Sequence, residues 1–218
     1  LKNPSIINIK NHYNQWYVPN NMAICLSGDF NPDEMVAVIE KYFGGMKPNA
    51  QLPVLEAKAE TPIQAPVVRE VWGLEAQFVA LAWRAPKAAD KDAEGMNLLS
   101  SILYNGQAGL VDLNLNQQQK VLSAGGFMYG LADHGMFLME GAPKAGQTLD
   151  EVKDLMLEQV EKLRKGEFDE SLLKASVNNY KLSMEKAMEE NSSRADFYVN
   201  SFINGTKSNS LIKNICYE

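Results

Sequence analysis

Apolar residues open the chain at Ile6, Ile9, Tyr13, Trp16 and Tyr17, gaps of three and four that place them on one face of a helix. Asn3 and Pro4 supply its start, as cap and first helical residue, and Pro19-Asn20-Asn21 stops it. Residues 22–27, MAICLS, form a compact apolar run bounded by turn residues, the pattern of a buried strand. Gly28-Asp29 turns the corner. Behind Asn31-Pro32-Asp33-Glu34, Met35, Val38, Ile39 and Tyr42 recur at i, i+3, i+4 and i+7. Asn31 is placed to cap this second helix, Glu34 stands at the acid position of a capping box, and Gly44-Gly45 ends the element.

The pattern then changes. Pro48, Pro53, Pro62 and Pro66 punctuate residues 46–66, which keep no sustained period. Proline at this density opposes both helix and central strand, so the stretch reads as an extended linker. Beyond it, VVREVWG (67–73) and AQFVALAWRA (76–85) read as strands and residues 93–104 as a helix. Asn105-Gly106-Gln107-Ala108-Gly109 reads as a flexible loop, and 110–120 as a second short helix. LSAGGFMYGLA and HGMFLMEGA form a hairpin pattern around Asp133-His134-Gly135. Thr148 is placed to cap a helix with an apolar face of Leu149, Val152, Met156, Val160 and Leu163, ended at Lys165-Gly166. A longer helix from Asp169 carries Leu173, Val177, Tyr180, Met184 and Ala187 on one face, and SRADFYVNSFI continues helical. Strands, one helix, a hairpin and then long helices imply an α+β class: a largely antiparallel sheet packed against helices.

Composition narrows the function classes. Of 218 residues, 45% are apolar and 22% charged, the balance of a soluble globular domain. The formal charge is −6, which repels phosphate backbones and argues against a nucleic-acid partner. No apolar run approaches the roughly 20 residues that span a bilayer, so no membrane span is expected; the compartment is not legible. Cys25 lies inside MAICL and reads as a small buried hydrophobe; pairing with Cys216 stays open, but two cysteines are not a disulfide framework.

Candidate chemistry is sparse. His12 and His134 are the two histidines, and neither has a second histidine near it, so no two-histidine helical metal site can be built from them. A turn role suits His134, and a structural or solvent-facing one His12. Asp90-Lys91-Asp92-Ala93-Glu94-Gly95 opens like a calcium loop, but Ser101 stands where the bidentate acid is required. The NGQAG loop lacks the Lys-Ser/Thr of a phosphate-binding loop. Glycosylation sequons occur at Asn191 and Asn204. Catalytic and metal-ligating residues are therefore expected to be none.

One stretch is more informative. HYNQWYVPNNMAICLSGDFNPDEMVAVIEKYFG, with Tyr17, Pro19, Asn21, Gly28-Asp29 and Tyr42-Phe43-Gly44, closely resembles a segment of the insulinase/pitrilysin family of zinc metallopeptidases, which includes the mitochondrial processing peptidases. In that family the segment closes a first, zinc-bearing domain, and a proline-rich linker and a similar metal-free domain follow. The resemblance implies a metallohydrolase-like fold of the processing-peptidase type. It implies residues 1–45 as the C-terminal part of the zinc-bearing domain, 46–66 as linker, and 67–218 as the metal-free domain. It places the His-x-x-Glu-His signature, and so the zinc, upstream: no cofactor belongs to this fragment, whereas the full-length protein carries zinc.

Assisting domains of the family often carry Leu-Arg, six residues and then Tyr after a glycine-rich loop. Here Asn116 stands at the arginine's place and Ser123 at the tyrosine's, so neither a cation nor a phenol is available. What the resemblance leaves to them is a cleft-lining position. The implied function is part of a zinc-dependent metalloendopeptidase, this piece forming the non-catalytic half of the substrate cleft and inactive alone. Its partners would be a peptide or unfolded-protein substrate and the remaining domains of the same protein. The alternative is a non-catalytic structural member of the same family.

Overall fold

A computed structural model describes residues 3–58 and 60–206. It divides into two units: residues 3–61 with 187–202, and residues 62–186 with 203–206 among those described.

In the first unit, helix α1 (Ile6–Trp16) runs into a short 3₁₀ turn at Pro19–Asn21, and helix α2 spans Pro32–Phe43. Asn31 Oδ1 accepts the backbone N–H of Asp33 at 3.0 Å and of Glu34 at 3.5 Å, so the asparagine caps α2 as its position demands. Asn20 and Asn49 hold the chain after α2 against the corner after α1. The Asn20 amide donates to the Asn49 carbonyl at 2.9 Å and accepts the Asn49 N–H at 3.0 Å.

Residues 22–27 belong to no strand, which corrects the expectation for MAICLS. A strand exists through its ladder partner, and the described part of this unit offers none. Ile24 and Leu26 are exposed as a result. Helix α6 (Asn191–Asn204) lies mainly in this unit, and Arg194 ties it to its neighbours: its guanidinium donates to Ser27 Oγ at 2.8 Å, to Asn191 Oδ1, and to the carbonyls of Met188 and Glu189. The sequon residue Asn191 is thereby engaged at the start of α6.

The second unit holds a three-stranded antiparallel sheet of β1 (Val79–Ala85), β2 (Ser123–Gly130) and β3 (Gly135–Ala142), in the order β1-β3-β2. Residues 67–73 form no strand here. Val71 is 93% exposed and Trp72 92%, so the expected first strand is corrected for the same reason: the ladder of β1 runs to β3 alone. The hairpin is as expected, with Phe127 opposite Leu138 and Tyr129 opposite Met136, and its loop is closed by the Leu131 N–H donating to the His134 carbonyl at 2.8 Å.

Helices α3 (Ala93–Leu103) and α4 (Leu149–Lys165) pack with the inward side of this sheet, which confirms the α+β architecture. The inward positions of β1, Leu81 and Trp83, join Phe137 and Met139 of β3 and Ala124 of β2 in one core, with Val152 and Met156 of α4 fully buried against them. Gly141 permits this approach. A Cβ there would stand 2.6 Å from Val152 Cγ1 and 2.9 Å from Met156 Sδ. Thr148 caps α4 through a complete capping box with Glu151, and Gly166, in the left-handed conformation, ends it.

Helix α5 (Glu170–Glu189) follows; its Leu173, Val177 and Met184 are half-buried, but the residue it buries fully is Ser176. The short helix expected over 110–120 is replaced by a wider, π-helical turn at Asp112–Asn116, with the Gln117 N–H donating to the Asp112 carbonyl at 2.8 Å. Val111 and Leu115 both face the core from this segment.

Candidate functional site

The glycine-rich loop, the π-helical turn and the start of β2 form one hydrogen-bonded assembly, organised by two side chains. Asp112 is 4% exposed, and its Oδ2 accepts the backbone N–H groups of Asn105, Gly106 and Gly109, each at 3.0 Å. A carboxylate satisfied by three convergent N–H groups is a strong local anchor. Asn105 adds an Asx turn, its Oδ1 accepting from Gln107 and Ala108 and its amide donating to the Ser101 carbonyl. Gly106 supplies the required positive φ of 79°. Residues 105–109 are therefore a braced turn, not the flexible loop their glycines suggested.

Asn116 is the second organiser. Its amide donates to the Ala124 carbonyl and its Oδ1 accepts the Ala124 N–H, both at 2.8 Å. The side chain copies the reciprocal pairing of a neighbouring strand and holds the start of β2 beside the π-helical turn. Ser123, the residue before Ala124, is exposed and opposite Ala142 in the ladder. Ser123 thus precedes the residue that Asn116 holds; Asn116 is committed to backbone and Ser123 is open to solvent. Sequence reasoning singled out Asn116 but missed Asp112. The available signal was a lone acid three residues after the last glycine of a turn-rich loop, where amide hydrogens converge.

The remaining candidates are scattered. His12 lies exposed on α1, its ring tilted against Trp16 with centroids 6.3 Å apart. His134 lies exposed in the hairpin loop. Cys25 is half-buried with a free thiol, while Cys216 lies outside the described residues. Asp90 Oδ1 accepts the Asp92 N–H at 3.0 Å, a local turn at the entry to α3, and Ser101 sits within that helix. Among the described residues no three His, Cys, Asp or Glu side chains gather as a metal site would, so these residues do not fit a zinc ion. No described helix is long and apolar enough to cross a membrane.

The arrangement consists of a braced turn, an amide that pairs with the start of β2, and a helix-backed sheet. The sequence family of the peptidase M16 inactive domain matches residues 7–180, and the chain belongs to that family. This bears out the resemblance to the insulinase/pitrilysin metallopeptidases.

The chain is 23% identical over 203 residues to the zinc protease PqqE of Helicobacter pylori, covering 91% of this chain and 46% of that protein. Its fold is similar to the crystal structure of a protease from Helicobacter pylori, with a TM-score of 0.82 at 20% identity, covering 98% of this chain and 56% of that one. It is also similar to a chain of Complex III2 from Candida albicans, with a TM-score of 0.68 at 14% identity, covering 100% of this chain and 54% of that one. The chain spans about half the length of the relatives it matches.

Proposed function

We propose that this chain is the metal-free half of a zinc-dependent metalloendopeptidase and forms the non-catalytic wall of its substrate cleft. The observation that carries the reading is the match of residues 7–180 to an inactive peptidase domain, in a chain about half as long as its zinc-protease relative. Residues 1–45 then close the zinc-bearing domain, 46–66 link the two, and 67–218 form the metal-free domain. The substrate is a peptide or unfolded protein, held between this half and the remaining domains of the same protein.

Asn116 and Ser123 line the cleft in this reading, without a charge or phenol to offer a transition state. Asn116 shapes the wall by fixing Ala124, and Ser123 presents a small neutral surface. Zinc chemistry belongs to the other half.

The test is hydrolysis of a quenched-fluorescent peptide by the full-length parent, with and without a chelator, alongside this chain alone. Zinc-dependent cleavage by the parent, with no cleavage and no one-to-one zinc binding by the chain, supports the proposal. A parent that cleaves nothing in the presence of zinc overturns it. That outcome favours the second reading, a structural subunit, which draws on the similarity to a chain of a multi-subunit complex.

A further inference from the structure

Within the second unit, α3 and α5 flank a groove of about 850 Å³, which Asn105 and Gln107 of the braced turn also line. We propose that this groove is a binding site for an extended, acidic polypeptide segment. The inference rests on the peptidase reading in choosing polypeptide over sugar as occupant.

Length comes first. The groove runs from Glu94 to Ser101 along α3 and on to Asn105 in the turn that follows, and from Ser176 to Lys186 along α5. At 1.5 Å per residue the α5 face is about 15 Å long, which an extended chain crosses in about five residues.

Chemistry comes second. Asn97 and Asn179 contribute amides, and Ser101 and Ser183 hydroxyls, over an apolar floor of Leu98 and Val177. Each amide offers both a donor and an acceptor, which matches the one N–H and one C=O that every peptide unit presents. Gly95 leaves open space where a side chain would intrude. Ser176, 2% exposed, lines the same groove with a hydroxyl that has no hydrogen-bond partner among the described residues, a buried polar atom that ordinarily finds one.

Charge comes third. Lys181 and Lys186 project along the α5 side and form no ion pair among the described residues, while Glu94 is the acid of the lining. The excess is positive in a chain whose formal charge is −6, which selects carboxylate-bearing segments.

The test measures anisotropy of a fluorescein-labelled, unstructured 12-residue peptide rich in Asp and Glu, titrated with this chain, its Lys181→Glu/Lys186→Glu variant and its Asn179→Ala variant. We expect binding that weakens about tenfold on charge reversal, the effect of losing roughly 1.4 kcal/mol, and that weakens also in Asn179→Ala. A Lys181→Gln/Lys186→Gln variant, which removes charge without reversing it, should fall between wild type and reversal. Absence of binding, equal binding by all variants, or preference for a neutral oligosaccharide would overturn the inference. In the parent enzyme the charge-reversed variant should raise KM for the acidic peptide and leave kcat unchanged. An unchanged KM in a parent that cleaves sinks the groove alone, whereas a parent that cleaves nothing sinks the peptidase reading and leaves the binding titration to judge the groove.

Discussion

Asn116 and Ala124 exchange two hydrogen bonds of 2.8 Å, so that an amide side chain stands in for the strand that β2 lacks at its first turn. Replacing it by alanine strips both partners from a buried backbone N–H and C=O. Each such orphan costs about 1–3 kcal/mol. We expect Asn116→Ala to lower stability by about 2–4 kcal/mol in urea unfolding, with the slope unchanged. A loss under 0.5 kcal/mol would show that water replaces the side chain there.

Asp112 holds three amide hydrogens of the glycine-rich turn on one oxygen. Asp112→Asn keeps the shape and removes the charge that makes those bonds strong. We expect the amides of Asn105, Gly106 and Gly109 to lose hydrogen-exchange protection, while those of β3 keep theirs. Unchanged exchange at all three sites would refute an anchoring role for the carboxylate.

The capping box of α4 gives a prediction with a definite pH direction. Glu151 is held below the usual glutamate range, chiefly by the Thr148 backbone N–H and then by its hydroxyl. A depressed folded pKa contributes stability that is present above the unfolded value and is lost as pH falls through the folded one. Glu151→Gln should therefore be less stable than wild type at pH 7, and the difference should shrink below about pH 4, where the ordinary glutamate pKa lies. Thr148→Ala should cost about 1 kcal/mol at pH 7. Thermal melts of the three proteins between pH 3 and 7 check both statements.

Gly141 sets how closely α4 lies on the sheet. Since a Cβ would stand 2.6 Å from Val152 Cγ1, Gly141→Ala overpacks the core and should cost about 1–3 kcal/mol. Pairing it with Val152→Ala should recover part of that loss, a coupling that a double-mutant cycle measures directly. Simple additivity would mean that the helix shifts away instead.

The elements legible from sequence share a property: their determinants lie within a few residues of one another. α4 has its cap at Thr148, its acid at Glu151, its core stripe through Val152 and Met156, and its left-handed stop at Gly166, and it folds accordingly. The β2–β3 hairpin is equally local. MAICLS and VVREVWG carry strand composition just as clearly, yet neither forms a strand, because pairing needs a second strand that their own residues do not supply.

The candidate site divides the same way. That Asn116 and Ser123 can give neither cation nor phenol was readable from their identities alone. That Asn116 closes on Ala124, and that Asp112 gathers a loop around itself, required the folded chain.

The sequence by itself determined the helices other than the one expected over 110–120, the hairpin, the α+β class and the family, since periodicity, caps and a motif of closely spaced residues act at short range. Only the tertiary structure decided which apolar segments became strands, which polar side chains turned inward, and where a groove was left between α3 and α5. Those outcomes depend on partners distant in the chain, and a hydrogen bond or a ladder has no meaning until both of its ends are in place.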